Sequence, residues 1–156
     1  MSRLVMKFGG TSVADVERVT RVARHVAAER ARGHNVAVVV SAPSGKTDEL
    51  VALAKAAAGG DTHLPLGFDD EYDVVVALGE QISTGLLALA LRRMGIPARS
   101  WQGWQIPVIA SDAHASARIE DVKGDKLGAS IDSGVVAVIA GFQGVDEDEN
   151  ITTLGR

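Results

Sequence analysis

The sequence predicts an α/β domain in which a mainly parallel sheet is covered by helices. Residues 3–8 (Arg-Leu-Val-Met-Lys-Phe) read as a short strand that Gly9-Gly10 stops. From residue 15 to about 32, Val16, Val19, Val22, Ala23, Val26 and Ala27 recur at spacings of three and four, so they share one helical face. Residues 36–40 are then a continuous apolar, mostly β-branched run, as in a parallel strand buried on both faces. Strand, helix and strand within the first forty residues form a βαβ unit, which sets two strands side by side in parallel with the helix across them. A chain of 156 residues is long enough for one domain that buries roughly 68–70% of its unfolded surface. With aromatics at only 4%, Val, Ala, Leu and Ile must build that core.

Local signals bound the other elements. Glu17 and Arg21, four apart on the outer helical face, make a favourable pair, and Gly33 closes the helix. Residues 41–47 form a loop into a helix at about 48–58, with Thr47 or Asp48 as its N-cap. Residues 59–70 hold Gly, Pro and Asp at loop density and are the best internal linker. Residues 86–94 read as a helix ended by Gly95 and Pro97, whereas 72–78 fits either that helix or a strand through Val74-Val75-Val76. A strand near 98–101, a turn at Gly103 and an extended stretch at 106–110 follow. Residues 119–131 are expected to form a helix, 135–140 a buried strand, and 146–150 an acidic turn before 151–156.

Composition removes several function classes. A net charge of −4 supplies no basic footprint for nucleic acid. The absence of cysteine excludes disulfides, thiolate metal sites and a cysteine nucleophile. No run approaches the roughly 20 apolar residues that cross a bilayer, and Met1-Ser2-Arg3 does not begin a signal-peptide pattern. The expectation is a soluble, cytoplasmic domain without nucleic-acid or membrane partners.

Three segments could carry chemistry. In Lys7-Phe8-Gly9-Gly10-Thr11-Ser12 a strand end meets a glycine pair and then hydroxyls opening a helix. Phosphates bind where backbone N–H groups converge without Cβ obstruction beside a cation, although a plain strand-to-helix turn would use the same glycines. The second segment, Ser41 to Thr47, ends in Gly45-Lys46-Thr47, but the first glycine of a Walker loop would fall at Val40, inside the strand, so the P-loop pattern fails. Its place after a parallel strand still makes it a binding loop by position. In the third, Gly79-Glu80-Gln81-Ile82-Ser83-Thr84, apolar flanks make Glu80 either a half-buried carboxylate able to hold a substrate amino group or a helix-surface glutamate. Asp112-Ala113-His114 offers two metal ligands without a third, which points to a satisfied loop histidine. No G-x-S-x-G elbow and no G-x-G-x-x-G occurs, which counts against a serine hydrolase and a dinucleotide enzyme.

Six stretches taken in order carry a resemblance: Lys7-Phe-Gly-Gly-Thr-Ser-Val13; Val39-Val-Ser-Ala42 with Gly45 and Thr47; Gly79-Glu-Gln-Ile-Ser83; Trp101-Gln-Gly-Trp-Gln105; Ala140-Gly-Phe-Gln-Gly144; and Thr152-Thr-Leu-Gly-Arg156. Together they resemble the aspartate kinases of the amino acid kinase superfamily, over the whole chain. Acetylglutamate and uridylate kinases share the glycine opening but look less similar at Thr11-Ser12 and at residues 153–156.

The resemblance implies a three-layer αβα sandwich with a mainly parallel sheet, the amino acid kinase fold, incomplete at its C-terminus. Residues 1–156 would be the N-terminal, aspartate-binding part of the kinase domain, without the nucleotide-binding half or the ACT regulatory domains. It further implies transfer of the γ-phosphoryl group of Mg-ATP to the side-chain carboxylate of L-aspartate. The product, 4-phospho-L-aspartate, feeds lysine, threonine and methionine synthesis. Lys7 would neutralise charge on the transferring group. Phe8, Gly9, Gly10, Ser12 and Ser41 would serve the nucleotide phosphates. Thr47 and Glu80 would bind aspartate, with Glu80 on its ammonium group, and Arg156 would grip a substrate carboxylate. Mg2+ would be held mainly by ATP, with no protein metal site, and the parent protein would be a homo-oligomer. The 156 residues alone are expected to be inactive. The alternatives are a non-catalytic small-ligand-binding α/β module or another member of the same superfamily.

Overall fold

A computed structural model describes residues 2–60 and 70–155. The candidate linker at 59–70 falls mostly outside the described residues, as does Arg156. The first strand, β1 (Arg3–Phe8), and the second, β2 (Asn35–Val40), pair in parallel from Arg3 opposite Asn35 to Phe8 opposite Val40. Between them runs helix α1 (Val16–Ala31), started by Asp15, whose carboxylate accepts the Arg18 N–H at 2.8 Å. The expected βαβ unit is therefore present, and Glu17 and Arg21 form their helical ion pair at 3.3 Å.

Strands β3 (Ala98–Trp101) and β6 (Val136–Ala140) complete a four-stranded sheet in the order β1-β2-β6-β3, parallel at every pairing. Alternation along β2 and β6 divides the core in two. Val36, Val38, Val40, Val136 and Val138 point to one face, where they meet Val19, Val22 and Val26 of α1 and Leu87 and Leu91 of helix α4 (Leu78–Arg93). Ala37, Ala137 and Trp101 point to the other face, toward Ile106 and toward Ile131 of helix α5 (Asp125–Asp132). Helices on both faces of a parallel sheet give the αβα layering.

Beyond this sheet, β4 (Val108–Ala110), β5 (Ile119–Val122), β7 (Gln143–Val145) and β8 (Ile151–Thr153) form a second sheet in the order β5-β4-β7-β8, antiparallel at both outer pairings. Only Gly141 and Phe142 separate β6 from β7, so one chain direction passes from the first sheet to the second. The acidic turn joins β7 to β8 as expected. Its organiser is Asp146, which is buried and accepts the N–H groups of Asp148 and Asn150, while Glu147, Asp148 and Glu149 are exposed.

Three sequence expectations need correction, and one left open is resolved. Residues 119–131 are a strand and a helix rather than one helix, because Lys123-Gly124 interrupts the period and β5 pairs with β4. The helix after the second loop, α2 (Lys46–Ala57), starts earlier than expected, and its N-cap is Gly45 at φ +80°, not Thr47 or Asp48. The Val74-Val75-Val76 run, open between helix and strand, is helical within α3 (Asp70–Val76), and Glu80 lies in the first turn of α4. Finally, the run Asp70–Arg93 is by length and mean hydropathy long and apolar enough to cross a membrane. Averaging over the run hides the charges that interrupt it in the sequence, Asp73 and Glu80. Half of it is buried in the fold and it packs on the sheet, which is the behaviour of a core helix.

Two outcomes test this packing. Leu91→Ala should cost roughly 2–5 kcal/mol, and Leu89→Ala on the outer face of the same helix under about 0.5 kcal/mol, both read from urea midpoints. The contrast follows from exposures of 0% and 64%. Arg3 also pairs in bidentate fashion with Asp132 at the end of α5, at 2.9 and 2.6 Å. These hydrogen bonds hold the Asp132 carboxyl below its ordinary 3.8. A lowered carboxyl stabilises the fold at neutral pH and loses that contribution as the pH falls through the lowered value. Asp132→Asn should therefore melt below the wild type at neutral pH, and the difference should shrink in strong acid.

Candidate functional site

All four strands of the first sheet end at one edge, and the loops leaving β1 and β2 meet there. They are tied to each other by backbone bonds, Ser41 N–H to the Phe8 carbonyl at 3.2 Å and Ser44 N–H to the Gly10 carbonyl at 3.1 Å. Both approach α4 at Ala42. A Cβ on Gly10 would lie 2.6 Å from the Ala42 carbonyl oxygen, and one on Gly79 would lie 2.6 Å from the Ala42 Cβ. Glycine is required at both positions by close approach. It lets two loops and a helix converge within van der Waals distance.

The carboxylate of Glu80 completes this junction. It is 3% exposed, and its Oε1 accepts the Ala42 N–H at 3.0 Å. The residue is thus a buried group at the base of the edge and not a helix-surface glutamate. Above it opens a cleft of about 510 Å³. Lys7, Gly10, Ser41, Thr47 and Glu80 line it, facing Leu154 and Gly155 from the end of β8. Five of the residues singled out from sequence are therefore brought together. Gly9 is exposed beside this cleft without lining it, and Phe8 and Ser12 line a neighbouring recess with Arg18, Arg21 and His25. Lys46, the lysine of the rejected P-loop pattern, pairs with Glu49 at 2.6 Å and is not part of the cleft lining.

A larger groove, about 840 Å³, lies on the second sheet between Trp104, Pro107 and Ile109. Of the described residues that line it, Glu120, Asp121, Asp146, Glu147 and Glu149 are acidic and Lys123 is the one cation, a charge balance that repels phosphate. The smaller cleft instead combines an exposed lysine, the Gly10 turn after β1 and a buried carboxylate. That set can hold an anion at one end and a cationic group at the other. Among the described residues no group of three or more His, Cys, Asp or Glu could hold a metal ion.

Sequence reading missed Asp73. Its side chain, 0% exposed, accepts from four donors: the His114 Nδ1–H at 2.8 Å, the Ala115 N–H at 3.1 Å, the Thr153 N–H at 3.0 Å and the Thr153 hydroxyl. His114 is accordingly a satisfied histidine, as expected. The available signal was spacing. Asp73 stands seven residues before Glu80 at the edge of the same apolar run, so the two carboxylates fall on nearly the same side of one helical path.

Replacing Gly10 by Ala should lower stability by roughly 1–3 kcal/mol, because its Cβ would meet backbone that cannot swing aside. A melting temperature equal to that of the wild type would show that the loops do not close on Ala42 in solution.

Comparison with known proteins places this geometry in context. The model of the amino acid kinase family matches residues 2–156. An aspartate kinase from Pseudomonas fluorescens is 47% identical over all 156 residues, which span 37% of that protein. A crystal structure of aspartate kinase from Synechocystis is 37% identical with a TM-score of 0.75, covering 100% of this chain and 24% of that one. The structure of E. coli aspartokinase III in complex with aspartate and ADP is 25% identical with a TM-score of 0.83, covering 100% of this chain and 44% of that one. The chain thus spans less than half the length of each of these relatives.

Proposed function

The chain belongs to the amino acid kinase family, and on that premise we propose that it forms the aspartate-binding side of an aspartate kinase. In this reading the side-chain carboxylate of L-aspartate attacks the γ-phosphorus of ATP, giving 4-phospho-L-aspartate and ADP in the first step toward lysine, threonine and methionine. The protein works in the cytoplasm, as a homo-oligomer in its parent form. The observation that carries the proposal is the convergence of Lys7, Gly10, Ser41, Thr47 and Glu80 on one cleft at the carboxyl edge of the parallel sheet.

Phosphoryl transfer asks a protein for positioning and for positive charge around the moving group. Lys7, exposed at the end of β1, supplies that charge, and Gly10 lines the cleft beside it. Phe8 ends β1, and Gly9 and Ser12 shape the loop after it: the Ser12 N–H closes the turn on the Gly9 carbonyl at 2.9 Å. Ser41 faces the cleft from the β2 side. ATP supplies the phosphoryl group and carries Mg2+ on its phosphates. At the other end Glu80 attracts the ammonium of aspartate, in a setting where burial strengthens the attraction. Thr47 offers a hydroxyl beside it. Arg156 follows Gly155 in the sequence and provides the guanidinium for a substrate carboxylate.

Calorimetric titration tests the ammonium assignment. The chain should bind L-aspartate more tightly than succinate, which has both carboxylates and no amino group. Glu80→Gln should lose at least about tenfold in aspartate affinity and leave succinate nearly unchanged. A folded chain that does not distinguish the two ligands contradicts the assignment.

A further inference from the structure

We propose that Asp73 is a positioning residue that sets the β8 wall of the cleft from beneath, and so tunes aspartate binding without touching the ligand. The inference deepens the aspartate reading and rests on it for the identity of the ligand. Asp73 is fully buried on α3 and does not line the cleft. Its carboxylate instead joins two separate segments, the His114–Ala115 loop and the end of β8 at Thr153.

Those segments run together toward the cleft. Ala117 N–H donates to the Thr153 carbonyl at 3.0 Å, and Gly155 N–H donates to the Ala117 carbonyl at 3.0 Å. Leu154 N–H donates to the Phe142 carbonyl at 2.9 Å, which secures the wall to the β6–β7 crossover. Leu154 and Gly155 line the cleft together with Glu80 and the Ala42 loop it holds. Ala115 has φ +61°, a left-handed conformation that a non-glycine residue adopts at a cost. Its N–H points at both Asp73 oxygens, at 3.1 Å each, so the carboxylate holds the strained residue in place. An ionised carboxylate is acceptor-only and can satisfy four converging donors. An amide of the same shape keeps one acceptor oxygen and no charge: its NH2 would face the Ala115 N–H and force the Thr153 hydroxyl to turn from donor to acceptor.

The test combines amide hydrogen exchange with aspartate titration on the chain and its Asp73→Asn, Thr153→Val and Thr153→Ser variants. Asp73→Asn should speed exchange at Leu154 and Gly155 by at least about tenfold relative to Val138 in β6, and weaken L-aspartate by a similar factor. Thr153→Val should move both readouts in the same direction by less, and Thr153→Ser, which keeps the hydroxyl donor, should restore them. Parallel acceleration at Leu154, Gly155 and Val138 would make Asp73 a general stabiliser and overturn the proposal. Unchanged exchange and binding in Asp73→Asn would overturn it as well. If Asp73→Asn unfolds, the Thr153 pair decides. Failure of the wild type to bind aspartate would count against the substrate reading, and the exchange comparison would still judge Asp73.

Discussion

A buried carboxylate must be met by hydrogen-bond donors, and in this fold that demand decides where the cleft's two walls stand. Glu80 is nearly inaccessible at the start of α4 and takes the Ala42 N–H, which draws the loop after β2 onto the helix. Asp73, inaccessible on α3, takes donors from the His114–Ala115 loop and from Thr153, which draws the end of β8 toward the same helical path. Leaving such a group unpaired costs several times what a typical hydrogen bond contributes, so these placements are strongly specified. The helices in turn are fixed by apolar packing, with Leu87 and Leu91 of α4 against the valines of β2 and β6. Hydrophobic burial places the helical run, and its carboxylates place the loops.

Close approach supplies the second constraint. Gly10, Ala42 and Gly79 leave no room for another carbon at their junction, which brings the β1 loop beside the Glu80 carboxylate. The chemistry proposed for the cleft needs that proximity. A group that attracts ammonium and a loop open to phosphates must lie within the length of one small amino acid and the phosphoryl group it receives. Lys7 is at the rim, where it meets charge entering from solvent, while Glu80 is at the base, where the dielectric is lower.

Much of the fold was legible because its signals are local. The period of three and four in α1, the apolar run of β2 and the glycine stops each come from a few adjacent residues, and β1, α1 and β2 formed as expected. The miss at 119–131 has the opposite cause. Ile119 and Val122 are exposed in a strand that exists through its pairing with β4, a long-range fact that helical spacing in the sequence imitates. Gly45 displaced Thr47 as the cap because its left-handed conformation turns the chain into α2. In the cleft, Lys7, Gly10, Ser41, Thr47 and Glu80 were found from loop position and resemblance. Asp73 was missed because its role depends on Thr153, eighty residues away, and no local pattern records such a partner.

In the proposed function the cleft lined by the Ala42 loop and the β8 end receives L-aspartate, amino group toward Glu80. Titrating L-aspartate into isotope-labelled protein while following backbone amide resonances tests it most directly. Saturable shifts at Ala42, Thr47, Glu80, Leu154 and Gly155, with Trp104 and Glu147 on the second-sheet groove unmoved, are the expected result. Shifts confined to that acidic groove, or none in a chain whose spectrum is well dispersed, would contradict the assignment.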